Sequence, residues 1–435
     1  MSAAAPEARP EAVVVHDVVE PVVGLRTRVV TGAVLVVVGL VTVLGWGLGS
    51  GSGDATFRFG GGAAVALPDL TVPGVVTPVL LGAVVVALGL WQLARGFRAR
   101  RTPVLIAVTL FCFVVAFLCW AMSGGDRGGG SLDVVQLLQS TVFLATPLIL
   151  GAMAGVLGER SGVVNVAIEG QMLTGAFAGA LVGSLAGLAS GIVGAVVSGM
   201  LVGALLAVFA IRYRVNQVIL GVVLNAAALG FTGWAYKAVM QTDTARYNSP
   251  GVLQRLPVPV LSDVPVIGPL LFDANIVVYV MYVVIIALQV VLFRTRWGLR
   301  TRAVGEHPKA AATLGIGVQR VRYTNVVVAG GMAGLAGAYL SIGTIGPFTE
   351  NMSAGKGFIA LAAVIFGRWS PKGALGAALL FGFFNALQTL VGILPTPGLV
   401  PSSFLAMLPY LATILAVAGF VGRVRPPAAS GEPYP

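Results

Sequence analysis

The sequence predicts an all-α polytopic membrane protein with about 10–12 transmembrane helices. Of its 435 residues, 57% are hydrophobic and only 10% are charged, and the mean hydropathy is +0.94. Apolar runs of about 20 residues recur along the whole chain, which is the length that a helix needs to cross a bilayer. The runs are continuous rather than alternating, which favours helices over a β-barrel, because backbone groups in lipid must be paired within the structure.

The apolar runs define the predicted spans. In chain order they are 29–48, 76–94, 103–122, 134–157, 163–183, 191–211, 215–239, 274–293, 321–345, 357–367, 373–394 and 404–422. The run at 357–367 has about half the usual length, which indicates a re-entrant segment or one half of a broken helix. Residues 1–25 and 424–435, rich in Ala, Pro, Glu or Gly, are predicted to be disordered cytoplasmic tails.

The positive charge predicts the orientation. The net charge is +11, and most of it lies in alternate loops. The basic clusters are Arg26 with Arg28, 95–101, 212–214, 294–302, 367–372 and 422–425. By the positive-inside rule these loops and both termini are cytoplasmic, which indicates a multi-pass protein of the plasma membrane. The basic residues contact membrane lipids in this interpretation, and no basic patch interleaved with aromatic residues indicates a nucleic-acid partner.

One apolar stretch, GVVNVAIEGQMLTG at 162–175, contains an ionisable residue. A carboxylate near hydrocarbon costs about 2.5–3.5 kcal/mol on insertion scales, so Glu169 is predicted to face protein or water rather than lipid. Asn165 lies four residues earlier, on the same helix face, and Gln171 lies beside it. Two interpretations are open. These side chains line a substrate path, or Glu169 hydrogen-bonds a neighbouring helix or caps a broken one.

A second interruption lies at 345–358, IGPFTENMSAGKGF. Pro347, Gly355 and Gly357 break the apolar pattern there, and Glu350 is among the polar residues at the edge of the membrane. Interrupted segments in the two halves of a transporter point to the substrate path, and 158–171 is the corresponding interruption in the first half. The alternative is a loop on the outer face with Glu350 at the surface.

Amide side chains inside other spans are further candidates for a substrate path. They are Asn225, Asn325, Asn385 and Gln388. Singly, each is better explained by a helix–helix hydrogen bond worth about 0.6 kcal/mol. As a set they suit a neutral polar solute, and the spans have no line of Asp, Glu and His for a proton relay, which argues against a proton-driven pump.

The loop at 294–320 carries the signal of a short helix, VGEHPKAAATLGIGV. Proline at its start and glycine past its end are typical of a self-contained helix. It would span about 10 Å, too little to cross a bilayer, and is small enough to dock in a groove of a soluble partner. The alternative is a solvated connector. The residues assigned to this element are Gly305, Glu306, His307, Pro308, Ala311 and Gly315.

Several chemistries have no support in the sequence. Cys112 and Cys119 are about 10 Å apart along one helix, too far for a disulfide, and the only histidines are His16 and His307. There is no GxxxxGK[ST] phosphate-binding loop and no Ser/His/Asp, Cys/His or HExxH arrangement. We therefore predict no metal site, no catalytic residues and no bound cofactor.

Three blocks carry a family resemblance. They are GERSGVVNVAIEGQML at 158–173, RAVGEHPKAAATLGI at 302–316 and GKGFIALAAVIFGRWSPKGALGAA at 355–378. In this order they resemble the permease subunits of ABC importers of the ribose and branched-chain amino acid permease superfamily, and within it the nucleoside-type permeases. The resemblance covers about 134–422. A simple-sugar permease is the alternative within the superfamily, and a stand-alone secondary transporter is the alternative outside it.

The resemblance implies that the chain is half of a transporter and not an enzyme. Such permeases pair with a second permease, here a different chain, receive solute from an extracellular substrate-binding lipoprotein, and rest on ATPase subunits that use the ATP. The loop at 304–316 then corresponds to the helix that docks on the ATPase. The chain would divide into an additional three-span region at 26–133 and a permease core at 134–423, between the two tails.

Overall fold

The computed structural model describes residues 25–50, 53–60, 67–97, 102–123, 130–393, 407 and 425–434. Within these residues, nine helices are long and apolar enough to cross a membrane, and a tenth apolar helix, Lys356–Phe366, has the predicted half-length. The all-α polytopic fold class is confirmed. The predicted span 404–422 and the predicted tail 1–25 lie outside the described residues except for Met407 and Leu25. The cytoplasmic placement of the termini stays a prediction.

The structure divides into two compact units, the first bounded as 1–54 with 72–128 and the second as 55–71 with 129–435. The described residues of the first unit form three helices: α1 (Leu25–Val41, continued by a π-helical turn, Thr42–Gly47), α2 (Val76–Ala94) and α3 (Thr102–Ser123). α1 and α2 approach closely, because a Cβ on Gly39 would lie only 2.7 Å from the backbone nitrogen of Val86.

The remaining α-helices and strands, apart from the ends of the first two strands, belong to the second unit. They are β1 (Asp54–Arg58), β2 (Leu70–Pro73), β3 (Ser131–Asp133), α4 (Val134–Arg160), α5 (Ile168–Ala186), α6 (Leu188–Ala207), α7 (Gln217–Ala235), α8 (Thr244–Tyr247), β4 (Arg255–Pro257), α9 (Ile267–Leu271), β5 (Asp273–Asn275), α10 (Ile276–Arg294), α11 (Arg296–Glu306), α12 (Pro308–Thr313), α13 (Val318–Leu340), α14 (Lys356–Phe366) and α15 (Pro371–Ile393). The first three strands pair in the order β2–β1–β3, with β1 and β3 parallel, and β4 pairs with β5 in antiparallel fashion.

The core of the second unit is built on α4 and α13, whose most apolar stretches are each 83% buried. α13 packs on α6 through small residues. A Cβ on Gly330 would lie 2.3 Å from the carbonyl oxygen of Gly199, and one on Gly334 would lie 2.2 Å from that of Ala195. The two backbones therefore touch, which is the close packing that the small-residue spacing of Gly330, Gly334 and Ala338 predicts.

Replacing Gly334 with valine is expected to destabilise the purified chain, because the side chain would overlap the backbone of α6. The cost of such overpacking is about 1–3 kcal/mol, which should lower the melting temperature and the folded yield in detergent. Gly230→Val is the matched control, since a Cβ on Gly230 meets nothing within 4 Å. Equal melting temperatures for the two variants would contradict the close contact of α6 and α13.

Two non-helical segments interrupt the second unit, at 161–167 between α4 and α5 and at 346–355 before α14. The sequence predicted both interruptions. The predicted span 163–183 began too early, however, because α5 starts at Ile168. Non-helical backbone at membrane depth is tolerated where protein or water supplies its hydrogen bonds, and every residue of 161–167 is buried or half-buried.

The segment 425–434 differs from the disordered tail that its composition predicted. Ala429 is only 2% exposed, and its amide donates to the Gly305 carbonyl oxygen over 2.9 Å. Arg322 Nη1 donates to the Glu432 carbonyl oxygen over 2.9 Å. The segment is ordered by contacts with distant residues rather than by its own apolar content, which is why composition misjudged it.

Candidate functional site

The second unit has two ends, which α4 defines. This helix runs for 27 residues from Val134 to Arg160, or about 40 Å, which exceeds the hydrocarbon thickness of about 30 Å. We refer to the Val134 end and the Arg160 end. α13 begins near the Arg160 end, where the guanidinium of Arg322 lies against Gly162. α14 ends there too, because Arg160 Nε donates to the Trp369 carbonyl oxygen over 2.7 Å.

The carboxylate of Glu169 joins the two interrupted segments. Its Oε1 accepts hydrogen bonds from Ser353 Oγ over 2.6 Å and from the Gly355 amide over 2.8 Å. Its Oε2 accepts one from the Gly357 amide over 2.6 Å. Glu169 is 8% exposed, so it faces protein rather than lipid, as its cost in hydrocarbon predicted. The geometry is that of a carboxylate capping a broken helix, one of the two roles that the sequence left open.

Two helix N-termini meet at this carboxylate. Glu169 lies in the first turn of α5, and Gly355 is the N-cap residue of α14. The unpaired amides and positive dipole ends of both helices favour a negative charge there, and the Lys356 ammonium adds a further attraction. α14 has 11 residues and spans about 16 Å, half of the hydrocarbon thickness. Glu169 therefore lies about 16 Å, measured along α14, from the end of this helix that is near Arg160.

Three predicted amides hold the first interrupted segment beside Glu169. Asn165 Nδ2 donates to Gln171 Oε1 over 3.0 Å, and both residues are 0% exposed. Asn225 Oδ1 accepts from the Gly170 amide over 2.8 Å, and its Nδ2 donates to the Val166 carbonyl oxygen over 2.9 Å. We call this group the Glu169 cluster: Asn165, Glu169, Gln171 and Asn225.

The Glu169 cluster keeps unused hydrogen-bonding capacity. Asn165 Oδ1 and Gln171 Nε2 are buried and have no hydrogen-bond partner among the residues that the structure describes. One is an acceptor and the other a donor. Buried polar atoms of this kind ordinarily bind water.

The other four predicted path residues lie elsewhere, and no hydrogen bond of the described residues joins them to the Glu169 cluster. Asn325 Nδ2 donates to Thr301 Oγ1 over 3.1 Å, which links α13 to α11. Glu350 lies at the surface, where its carboxylate is 3.2 Å from the Lys237 ammonium. The remaining two, Asn385 and Gln388, are half-buried on α15.

Two buried contacts escaped the sequence analysis. The side-chain amide of Asn248 both donates to and accepts from the backbone of Phe348, over 2.9 and 2.7 Å, and so holds the second interrupted segment. Glu159 is 4% exposed and accepts a hydrogen bond from Trp369 Nε1. The partners lie 100 and 210 residues away, so the residues next to Asn248 and Glu159 in the sequence give no sign of these contacts.

The predicted short helix exists as α12, at the Arg160 end, and its assigned residues fall in two environments. Ala311 is 3% exposed and packs with Val304 and Val318 of the same unit, and Gly305 is also buried. These residues do not face a partner. The others are exposed or, for the proline, half-buried: Glu306, His307, Pro308 and Gly315.

The outward face of α12 is formed by residues that the assignment left out. Lys309, Ala310 and Thr313 are exposed, and Leu314 just after the helix is 81% exposed. The surface of α12 that is available to a partner is therefore Lys309, Ala310, Thr313 and Leu314 rather than Ala311.

α11 and the first interrupted segment are in direct contact. A Cβ on Gly305 would lie 2.2 Å from the carbonyl oxygen of Arg160, so the end of α11 touches the end of α4. From Arg160 the chain enters 161–167, which leads to the Glu169 cluster. A displacement of α11 and α12 would therefore push on the residues that hold both interrupted segments.

A polar cavity of about 500 Å³ opens at the Val134 end. Gln136 and Gln139 line it together with Arg255 and Asp273, whose side chains are 3.2 Å apart. The described residues contain no group of three or more His, Cys, Asp or Glu side chains placed to hold a metal ion. The cavity therefore offers amide and ionic groups to solvent.

Comparison with known proteins identifies the second unit. Residues 137–418 match the family described as branched-chain amino acid transport system / permease component. The guanosine ABC transporter permease protein NupQ of Bacillus subtilis is 40% identical over 321 residues, which cover 70% of this chain and 98% of that protein. The nucleoside ABC transporter permease protein NupC of Lactococcus lactis is 38% identical over 315 residues, covering 70% and 99%. The putative glucose ABC transporter permease protein TsgC13 of Haloferax volcanii is 33% identical over 258 residues, covering 58% and 76%.

No solved structure matches the chain. The family match begins within α4 and includes the Glu169 cluster, α11 and α12, whereas the first unit lies outside it. The resemblance carried by the three sequence blocks is confirmed. With its membrane-spanning helices, the chain is a multi-pass plasma-membrane protein that belongs to the family of ABC transporter permeases.

Proposed function

We propose that the chain is one of two membrane-spanning subunits of an ATP-driven ABC importer for nucleosides. The observation that carries the proposal is the 40% identity to a guanosine permease over 98% of that protein's length. The Glu169 cluster supports it, because its one carboxylate already accepts three hydrogen bonds from the protein. What remains free there is one amide donor and one amide acceptor, which suits a neutral polar solute better than an ion.

The other parts of the importer come from partner chains in this proposal. ATPase subunits bind and hydrolyse the ATP, an extracellular lipoprotein delivers the nucleoside, and a second permease completes the path. The second permease is a different chain, in keeping with the fact that a further guanosine permease of Bacillus subtilis, NupP, matches this chain at 25% identity. This chain itself binds no cofactor.

The Arg160 end faces the cytoplasm in this proposal, and the outward face of α12 docks on the ATPase. Leu314 is 81% exposed, and burying a leucine side chain in a groove contributes about 1.5–3 kcal/mol. α12 has only six residues and packs on the unit through Ala311. It therefore moves as a rigid element when the ATPase pair closes.

The movement reaches the membrane interior through contacts that are already described. α11 presses on the Arg160 carbonyl group at Gly305, and 161–167 leads from there to Glu169. Glu169 holds the N-terminus of α14 by hydrogen bonds from the Gly355 and Gly357 amides. When the angle between α5 and α14 changes, these hydrogen bonds are either kept or broken. The bonded and the broken state are the two discrete arrangements that alternating access requires. Glu169 then connects the two interrupted segments and transmits the movement of one to the other.

A simple-sugar importer is the second candidate, because the putative glucose permease of Haloferax volcanii is 33% identical to this chain. The two candidates differ in the group that must be recognised. A nucleoside presents a base with its own hydrogen-bonding edge, whereas a sugar presents hydroxyl groups alone. Competition between the two classes of solute therefore separates them.

Uptake of labelled guanosine by the complete transporter in proteoliposomes is expected to require ATP. It is expected to be inhibited by unlabelled guanosine or uridine, but not by ribose or glucose at the same concentration. Ribose or glucose competing better than both nucleosides would overturn the nucleoside assignment in favour of a sugar. Uptake without ATP or the ATPase would contradict the ABC mechanism and favour a stand-alone transporter.

A further inference from the structure

We infer that residues 425–434 form a positioning strap that ties the ATPase-coupling element to the first interrupted segment. The strap would make α11, α12 and 161–167 move as one body. The inference rests on the proposed function of α12 and adds a residue set that this function does not itself require. It follows from contacts on three sides of a segment only ten residues long.

The strap binds the end of α11. The Ala429 amide donates to the Gly305 carbonyl oxygen over 2.9 Å, and the Ala428 amide donates to the Glu306 carboxylate over 3.2 Å. Carbonyl groups in the last turn of a helix have no partner within the helix. The Ala429 amide thus caps the C-terminus of α11, and the Ala428 amide binds the side chain of the last residue of this helix, immediately before α12.

The other edge of the strap binds the turn that follows α4. The Gly431 amide donates to the Gly162 carbonyl oxygen over 3.3 Å. Gly162 has a φ of +87°, and a Cβ there would lie 3.1 Å from the Ala429 carbonyl oxygen and 2.8 Å from Arg322 Nη2. A glycine is needed at this turn for both reasons, and its absent side chain is what lets the strap approach.

A buried arginine fastens the strap to α13. Arg322 is 1% exposed, and its Nη1 donates to the Glu432 carbonyl oxygen over 2.9 Å. The Glu432 carboxylate also attracts the guanidinium charge. Nε and Nη2 have no partner among the described residues, so the strap supplies an acceptor that this buried charge would otherwise lack.

The end of the strap lies under α12. Tyr434 packs against the apolar cluster of Val304, Ala311 and Val318, which is the inner side of the coupling element. The strap therefore contacts α11, α12, α13 and the turn at 161–163. Releasing it would leave the contact of Gly305 with Arg160 but remove the hydrogen bonds that hold α11 to that turn. A force on α12 would then move α11 and α12 without moving 161–167.

Two adjacent alanines provide a matched test, because Ala429 is 2% exposed whereas Ala428 is exposed. The Ala429 side chain is enclosed by protein, so a glutamine there cannot fit unless the strap moves away. A glutamine at 428 can project into solvent. In the complete reconstituted transporter, Ala429→Gln is expected to lower nucleoside-stimulated ATP hydrolysis and uptake by about 2- to 30-fold, the range for mutations along a coupling network. Basal ATP hydrolysis and co-purification of the ATPase should not change, and Ala428→Gln should behave like the parent.

A readout on the chain alone separates the strap from the proposed function. A spin label at Thr313→Cys, with Cys112 and Cys119 replaced by serine, reports the mobility of α12 without any ATPase. The label is expected to be restrained in the parent and in Ala428→Gln and mobile in Ala429→Gln, at an unchanged melting temperature. Failure of the parent to transport nucleosides would overturn the proposed function and leave this result standing.

Three outcomes would overturn the strap. They are equal label mobility and stimulated hydrolysis in Ala429→Gln and the parent, equal effects of the two glutamine substitutions, and loss of folded protein in Ala429→Gln. The last would make the segment a general folding element. A chain ending at Arg425 supplies a second variant, which should reproduce the mobile label and the loss of stimulation seen with Ala429→Gln.

Discussion

Replacement of Glu169 by alanine is expected to reduce solute uptake by the reconstituted transporter by more than about tenfold. Three donors, Ser353 Oγ and the amides of Gly355 and Gly357, would lose their acceptor. Leaving a buried donor unpaired costs about 1–3 kcal/mol. α14 would lose its N-terminal anchor. Uptake at equal expression in the membrane is the measurement.

Glu350→Ala is the matched control for this prediction. It removes the same charge from the loop before α14, but the Glu350 side chain is 42% exposed and that of its partner Lys237 is 66% exposed. Surface ion pairs are worth about 0–1 kcal/mol, so uptake should stay close to that of the parent. Glu159 is unsuitable as a control, since it is buried and bonded to Trp369. Parental uptake by Glu169→Ala would remove Glu169 from the mechanism.

Replacement of Leu314 by aspartate is expected to weaken binding of the purified ATPase by about tenfold or more while leaving the permease folded. The side chain is 81% exposed, so the fold loses little. At a docked interface the variant would forfeit about 1.5–3 kcal/mol of apolar burial and place an unpaired charge there. Leu261→Asp is the control, because Leu261 is 44% exposed in the loop between β4 and α9, far from α12. Equal ATPase binding by the two variants would place the docking surface elsewhere.

Crosslinking locates the same interface independently. Cysteines at His307, Ala310 and Leu314, which are exposed, should crosslink to the ATPase. Consistent failure there, with efficient crosslinking from 367–372, would assign coupling to the latter loop. Ala311→Trp is not an equivalent probe. Ala311 is buried, so tryptophan would disturb the packing of α12 on its own unit rather than report on the partner.

Composition and pattern alone determined the class of protein and the places where its helices break. Continuous apolar runs leave the backbone no partners except its own, which dictates helices. Glycine, proline and polar residues stand out against such runs, so both interruptions, at 161–167 and 346–355, were visible in the sequence. The burial of Glu169 followed from its cost in hydrocarbon, and the signal for α12 followed from its proline and glycine boundaries.

Only the tertiary structure decided which groups meet. The donors to Glu169 lie 184 to 188 residues away, and four of the eight predicted path residues lie outside the Glu169 cluster although their chemistry is the same. Ala311 lies in a short helix that the sequence assigned to docking, but its side chain is buried in its own unit. Residues 425–434 have the composition of a disordered tail, but hydrogen bonds to distant residues hold them in place. Local sequence sets backbone preference and the cost of exposing each group to lipid. The partner that offsets this cost depends on how distant helices pack, and neighbouring residues carry almost no information about that.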